Sequence, residues 1–271
     1  MKGSKTIVSG GFGFVGHHLV KRLADLGSEI FIFTRDATKI SQDGDIKNIL
    51  VSYLDESSLS QNLRQIEPDH IVHLSSSRDR KCFKDCSISQ FNDDVATDLN
   101  FIMASSRLQQ LKSFIYVGTA DIYSDDGVLN TKSPVLPKNP YGLRKSMGIS
   151  LLNSLFRCQC FPSVCLVPSI IYGPGQKPDM FLPELIDSLI KNQRFSTSDG
   201  RQMRDYIFVR DIVDVLVKHI NGPNLACLGR TILLGSGEAI SIKELALMVE
   251  PLVGIKKESL LDIGTVEQRA G

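Results

Sequence analysis

The chain has 271 residues, a formal net charge of +1 at pH 7 and 42% hydrophobic residues. That is enough apolar material for one large domain, or a domain with a smaller lobe, and it excludes a disordered chain. The near-neutral charge gives no electrostatic case for nucleic acid or an acidic membrane surface, and no apolar run approaches the roughly 20 residues that span a bilayer.

The N-terminus runs from Met1-Lys2 almost directly into the strand-like Ile7-Val8, without the apolar core of a secretory leader. The six cysteines lack paired CxxC spacing and read as free thiols in a reducing compartment, so a cytoplasmic protein without a bound metal is expected. Cys82 and Cys86 could share a helix face, but ordinary free thiols are the simpler reading.

Through the first two-thirds, short β-branched runs alternate with longer helical patterns, which predicts an α/β fold with a parallel sheet and crossover helices. Thr6–Ser9 is the first strand and Phe14–Leu26 the first helix. Glu29–Phe33 is the second strand, Ile49–Tyr53 a weaker third and His70–Leu74 the fourth. A long helix is expected from about 87 to 111, then a fifth strand at Ser113–Val117. Asn139 can cap a helix whose first turn suits Pro140. After the strand Val164–Val167 the pattern loosens, and Tyr172-Gly173-Pro174-Gly175 marks a change of character. The division expected is 1–167 for the main domain and 168–271 for a smaller lobe, with segments near 205–220 and 231–235 returning to the main sheet.

Gly10, Gly13 and Gly16 sit between the first strand and the first helix. This spacing lets the backbone turn tightly, approach a pyrophosphate and pack helix on sheet, while the helix N-terminus offers free N–H groups. A glycine triplet alone can be an ordinary tight loop, but a strand before it and a helix after it point to a dinucleotide. At the end of the second strand Thr34 stands where NAD binders usually place an acid. Arg35 beside it can pair with a 2′-phosphate, which favours NADP(H) over NAD(H). Asp36 keeps the alternative open, since a shift of one residue makes it a ribose ligand.

Tyr141 and Lys145 stand at i and i+4, one turn apart on a helix face. A phenolate at pH 7 lies about 4 kcal/mol uphill of the phenol. An ammonium roughly 4 Å away supplies about 4 kcal/mol at an effective dielectric of 20, which cancels that cost. The pair therefore suits a tyrosine acting as general acid or base. Thr119, at the carboxyl end of the fifth strand, can hydrogen-bond a substrate oxygen; the plainer role is a loop hydroxyl that caps backbone.

With these motifs the chain resembles an extended short-chain dehydrogenase/reductase of the NAD-dependent epimerase/dehydratase family. The likeness runs through the glycine turn, His73-Leu74-Ser75-Ser76, Thr119 to Tyr123, Tyr141 with Lys145, Pro168 to Gly175, Arg204 to Asp211, and Leu234 to Glu238. It implies a Rossmann doubly wound parallel sheet with a small C-terminal substrate-binding lobe, and a nucleotide-sugar as the small-molecule substrate. Thr119, Tyr141 and Lys145 match the catalytic positions. Phe14, Val15, Leu74, Ser75 and Pro168 join the glycines, Thr34, Arg35, Tyr141 and Lys145 as expected cofactor contacts. Arg204 matches a position that often contacts the sugar-nucleotide phosphates, against the plainer role of an ion pair with Asp205 or Asp211. Phe181 and Arg269 are the other expected substrate contacts. The resemblance also implies a homodimer through the helices near 87–111 and 140–157. Departures are Asp94 where Asn is frequent, Ser52 where an adenine-contacting Asp is frequent, and Ile170 where Asn is common.

Three reactions fit this set. Asp121 lies two residues past Thr119, where dehydratase and decarboxylase relatives usually carry Glu, and Ala120 occupies the place of a catalytic Asp in one dehydratase group. Asp is a methylene shorter than Glu, which weakens the dehydratase reading. With Arg35 favouring NADPH, the expectation is a reductase of a nucleotide-linked 4-keto-6-deoxyhexose with Tyr141 as general acid/base and Asp121 as an auxiliary acid. An epimerase or 4,6-dehydratase that recycles its cofactor is the alternative, and a non-catalytic dinucleotide sensor is a remote one.

Overall fold

The computed structural model describes residues 3–40, 42–75, 82–124, 127–130, 132–222, 224–253 and 259–266. In chain order the elements are β1 (Lys5–Ser9), α1 (Phe14–Asp25), β2 (Glu29–Thr34), β3 (Gln42–Asp43), β4 (Ile46–Leu50), α2 (Glu56–Ile66), β5 (His70–His73), α3 (Ile88–Ser105), β6 (Ser113–Val117), α4 (Pro140–Gln159) and β7 (Ser163–Pro168). There follow β8 (Ile170–Tyr172), α5 (Phe181–Ile190), β9 (Phe195–Thr197), β10 (Met203–Phe208), α6 (Val209–Asn221), β11 (Thr231–Leu234), β12 (Ala239–Ser241), α7 (Ile242–Leu252) and β13 (Leu261–Ile263). Contacts divide the chain into two units, Met1–Pro168 with Arg210–Leu234, and Ser169–Val209 with Gly235–Gly271.

The first unit is built on a sheet of order β11-β7-β6-β5-β1-β2-β4-β3. Its strands pair in parallel except β3, which turns back antiparallel on β4. Strand order runs one way from β1 through β2 to β4, and the other way from β5 outward. The carboxyl ends of β1 and β5 therefore flank the switch point at which open α/β sheets bind ligands. Both faces of the sheet must be covered, and the strands accordingly read as apolar runs. Ile7, Phe31, Phe33, Ile71, Phe101, Phe114 and Leu152 belong to one buried cluster.

The helices follow their local chemistry. Asp55 caps α2 by accepting from Ser58 N at 3.0 Å, and Leu59, Leu63 and Ile66 give it a single buried stripe. Asn139 caps α4, accepting from Gly142 N at 2.7 Å, and Pro140 opens the helix where its missing N–H costs nothing. In α6 the buried Ile212, Val213, Leu216, Val217 and Ile220 recur at helical spacing.

Two expectations shift, and one helix was not foreseen. The third strand lies at Ile46–Leu50 rather than Ile49–Tyr53. Val51 and Tyr53 are buried, but they enter the core after the strand has ended, with Val51 N still donating to Thr34 O of β2 at 2.9 Å. The long helix stops at Ser105 rather than near 111; Leu108 and Leu111 pack on the core from the connection that follows. Helix α2 was not singled out by the sequence, because its stripe is short and its other positions are polar.

The second unit contains a three-stranded sheet of order β12-β10-β8 and a two-stranded pair of β13 with β9. Leu185, Leu189, Phe195 and Ala246 form its small core. Ser241 and Glu244 cap α7 reciprocally.

Replacing Asn139 with Ala is expected to cost about 1 kcal/mol, the usual value of an N-cap. Urea unfolding of parent and variant measures it. A loss of only a few tenths of a kcal/mol, the cost of a Gly at the same place, would show that the cap does not hold α4.

Candidate active site

The glycine turn leaves no room for side chains. Gly10 has φ +74°, and a Cβ there would come within 2.8 Å of Ser75 N. A Cβ on Gly16 would overlap the Gly10 carbonyl oxygen, and one on Gly11 would meet Ile32 at 2.8 Å. Gly13 N donates to Gly10 O at 2.9 Å, closing the turn. Helix α1 begins on Gly13 with no side-chain cap and no acid in its first turn, so its first N–H groups, from Phe14 and Val15 onward, are left for an anion. Leu74 N donates to Ser9 O at 3.0 Å, and Ser75 N to Ser9 Oγ at 3.3 Å, so the end of β5 lies alongside this turn. Pro168 is buried at the end of β7.

At the end of β2, Thr34 is buried and its hydroxyl accepts from Asp36 N at 3.1 Å. Asp36 is committed elsewhere: its carboxylate accepts from Thr38 N at 3.0 Å and Thr38 Oγ1 at 2.6 Å, and Lys39 stands 3.6 Å away. Those Thr38 hydrogen bonds hold the carboxyl below its ordinary range. Arg35 is exposed. The Lys39 ammonium lies 4.9 Å from the centroid of the Phe12 ring in the glycine turn.

Helix α4 carries Tyr141 in its first turn and Lys145 one turn later. Tyr141 is half-buried; with Pro140, Arg144, Cys86, Gln90, Phe91 and Asp94 it lines a pocket of this unit. The Arg144 guanidinium lies 5.4 Å from the centroid of the Tyr141 ring. Thr119 is buried, and its hydroxyl accepts from Asp121 N at 3.3 Å. It thus does cap backbone, and its own O–H remains able to donate. Asp121 lies in the single turn Ala120–Ile122; its carbonyl oxygen sits where a Cβ on Gly142 would go, so that turn packs directly on the start of α4.

Beneath the pair lies a buried charge network that the sequence reading missed. Lys145 is 1% exposed, and its Nζ stands 3.7 Å from Asp98 Oδ2, itself 1% exposed. Arg144 bridges the same Asp98 oxygen and Asp94 Oδ2, both at 3.6 Å. Tyr116 donates to Asp98 Oδ2 at 2.9 Å, and His73 Nε2 meets Asp98 Oδ1 at 3.1 Å. On its other nitrogen His73 is 2.5 Å from Ser9 Oγ. Burial alone would push the Asp98 carboxyl up, but Lys145, His73 and Arg144 together hold it well below the usual carboxylate range. The Tyr116 phenol is driven far up by burial and then by the Asp98 charge. Removing one member of such a buried set costs about 3–5 kcal/mol, because an uncompensated charge is left behind. A signal existed. Asp94 and Asp98 are like charges at i,i+4 on one helix face, an arrangement that repels unless a cation lies between.

This site fits a dinucleotide. The turn excludes every side chain that would block a pyrophosphate, the α1 N-terminus is uncapped, and Lys145 Nζ finds no hydrogen-bond partner among the described residues. A ribose hydroxyl would supply what that ammonium lacks. Among the described residues no three His, Cys, Asp or Glu side chains gather to hold a metal ion, and no helix is long and apolar enough to cross a membrane.

The second unit holds two other sequence-predicted residues. Arg204 donates to Met203 O at 2.9 Å, and among the described residues no acid pairs with it. Asp205 is instead occupied by Ser169 Oγ at 3.2 Å, Ser236 N at 2.8 Å, Ser236 Oγ at 2.9 Å and Gly237 N at 3.1 Å. Phe181 packs edge-on against Phe195 at 5.5 Å and leans on the small core. Arg269 and Ser76 lie outside the described residues.

A family model described as "NAD dependent epimerase/dehydratase family" matches residues 6–235. An uncharacterized UDP-glucose epimerase of Bacillus subtilis (strain 168) is 25% identical over 267 residues, 93% of this chain and 83% of that protein. The dTDP-D-glucose 4,6-dehydratase of Dictyostelium discoideum is 27% identical over 238 residues, 77% of this chain but 54% of its own length, so the chain spans about half of that relative. In fold, the chain is similar to a UDP-glucuronic acid 4-epimerase from Bacillus cereus solved with UDP-glucuronic acid and NAD. That likeness has a TM-score of 0.80 at 22% identity, covering 96% of this chain and 85% of that one.

Burial drives the His73 imidazole below its ordinary value, and burial pushes His70 down to about 4. An unfolded chain takes up these protons near pH 6.5, whereas the folded chain refuses them until lower pH. Stability is therefore expected to be full above pH 6.5 and to fall as the pH drops toward 4. Asp98, an acid with a depressed value, adds its own loss only below about pH 4. Urea unfolding at pH 7.5 and 5.0 measures the slope. His70→Gln should flatten it, and a parent-like slope in that variant would count against the assignment.

Proposed function

Because the chain belongs to the NAD-dependent epimerase/dehydratase family and is an enzyme of that type, we propose that it oxidises and re-reduces a carbon of a nucleotide-linked sugar, recycling its cofactor, as an epimerase. The observation that carries this reading is the buried Lys145 ammonium, set one helical turn beyond Tyr141 and lacking a hydrogen-bond partner among the described residues.

The division of labour follows from side-chain chemistry. Tyr141 takes the proton of the reacting sugar hydroxyl and gives it back. Thr119 lends its O–H to the same oxygen. Lys145 holds the ribose hydroxyls and contributes positive charge beside the phenol. A bound nicotinamide would supply the hydride acceptor and donor for the sugar carbon. Gly10, Gly13 and Gly16, with the α1 N-terminus, hold the pyrophosphate; Leu74, Ser75 and Pro168 border the dinucleotide. Arg204, free of an acidic partner among the described residues, takes the sugar-nucleotide phosphates, with Phe181 and Arg269 as further substrate contacts. Dehydration, the reaction named for the Dictyostelium relative, asks for an additional acid/base pair, and Asp121 with Ala120 before it is a weak provision for that step.

A reductase of a nucleotide-linked 4-keto-6-deoxyhexose, the reading first suggested by Arg35, is the second proposal. Its support is the cofactor preference. Asp36 is tied to Thr38 and Lys39 and so is withdrawn from a ribose, while Arg35 is exposed to pair with a 2′-phosphate, which favours NADP(H) over NAD(H). The family name and the relatives weigh toward recycled cofactor, and we place the reductase second. The exposed Met103 and Met147 of α3 and α4 suit the pairing of two copies as a homodimer.

Tyr141→Phe should retain cofactor binding and lose about 10²–10⁴ in kcat, since the ring stays and the proton carrier goes. Unchanged turnover would rule the mechanism out. Turnover of a nucleotide-sugar without net cofactor consumption supports the epimerase, whereas one NADPH consumed per product points to the reductase. Dissociation constants for NADPH and NADH decide the cofactor, and a clear NADH preference removes the role given to Arg35.

A further inference from the structure

Asp94, Arg144, Asp98 and Lys145 form a chain of alternating charges, with successive gaps of 3.6, 3.6 and 3.7 Å. Asp98, Arg144 and Lys145 are buried, while Asp94 lies at the edge of the network, beside the pocket that Tyr141 lines. The acids project from α3, the cations from α4, while His73 of β5 and Tyr116 of β6 close on Asp98 from the sheet side. Within this chain Arg144 has a double position. Its guanidinium pairs with both acids, and it also lies against the Tyr141 ring at 5.4 Å.

Asp98 alone could neutralise Lys145 outright. Shared with Arg144, the same carboxylate leaves the ammonium partly uncompensated, at a place set from two sides. The Tyr116 ring adds a third restraint, since Lys145 Nζ lies 4.4 Å from its centroid. A buried ionic set is no more stabilising than well-packed apolar residues of the same volume. Positioning is a use that apolar packing could not supply.

We propose that Arg144 is a positioning residue: by bridging Asp94 and Asp98 it fixes the carboxylate that holds the Lys145 ammonium, and by lying on the Tyr141 ring it ties that ammonium's place to the phenol. This rests on the reading of Tyr141 and Lys145 as the catalytic pair. Nothing in it requires Arg144 to touch substrate or cofactor; it acts through its neighbours.

The test uses the full chain and three variants, Arg144→Met, Arg144→Met with Asp94→Asn, and Arg144→Lys. Thermal melting, the dissociation constant for NADPH or NADH, and kcat and KM on a nucleotide-sugar are measured for each. Arg144→Met alone leaves Asp94 with the Gln90 amide, at 3.2 Å, as its remaining partner among the described residues and takes a cation from Asp98, and should melt well below the parent. The double variant removes a cation and an anion together and should regain most of that stability. Its cofactor affinity should nevertheless fall about tenfold and its kcat about tenfold, with KM for the sugar within about threefold, because the ammonium is no longer held in place. Arg144→Lys restores the charge but reaches only one acid, and should recover part of both losses.

A double variant that melts like the parent and keeps cofactor affinity and kcat within twofold would reduce Arg144 to a structural role and overturn the proposal. Should the double variant not fold, Arg144→Lys decides: a folded variant with parent-like affinity and kcat overturns it, and a loss of about threefold in each upholds it. If the parent turns over no nucleotide-sugar, the functional reading fails by itself, and the cofactor affinities still judge the placement of Lys145.

Discussion

The Asp98 carboxylate sits where water cannot reach it, and a buried charge must be met by partners or be given up. Two cations, a phenol and an imidazole meet it, the cations from one helix and the other two from two strands. That convergence joins α3 to α4 and both helices to the sheet in one polar network, set within a cluster of aromatic and aliphatic side chains. The place of Lys145 follows from it. An ammonium on a long flexible stem has no preferred position of its own; here the carboxylate and the Tyr116 ring supply one.

The same network reaches toward the cofactor turn. His73 links Asp98 to Ser9, and Ser9 receives the backbone N–H of Ser75. Ser9 is the last residue of β1, next to Gly10, so the glycine turn and the buried carboxylate share a short run of hydrogen bonds. A polar network in a dry interior is stable only when its members are satisfied together. The Lys145 ammonium finds no hydrogen-bond partner among the described residues, and a ribose hydroxyl would complete it.

The second unit applies a similar device on a smaller scale. Asp205 gathers Ser169, Ser236 and Gly237 through four hydrogen bonds, which fixes the start of β8 and the turn before β12 against β10. Asp205 is spent on this clasp, and its neighbour Arg204 donates instead to the Met203 carbonyl, with no acidic partner among the described residues. Adjacent residues of opposite sign invite the assumption of an ion pair. On a strand successive side chains point to opposite faces, and these two accordingly serve different ends.

Much of the arrangement was legible in the residues alone, for reasons of local physics. A strand, a glycine spacing and a helix start lie within a dozen residues, and their backbone demands are met by few alternatives, so the dinucleotide turn could be read directly. Asn139 and Pro140 announced α4, and the helical period placed Tyr141 and Lys145 one turn apart. The edge of β4 and the end of α3 were misjudged because Val51, Tyr53, Leu108 and Leu111 are apolar for the sake of burial, which does not require an element. The Asp94–Asp98 spacing on α3 asked for a cation between them, but which cations answer could not be read. Asp98 lies 47 positions away in sequence, and what joins it to Lys145 is the packing of α3 on α4, a long-range contact that no local pattern encodes. Sequence by itself determined the turn, the helix and the two catalytic candidates on it. Only the tertiary structure decided which charges share the dry interior with them, because burial is a property of the assembled core and not of any segment.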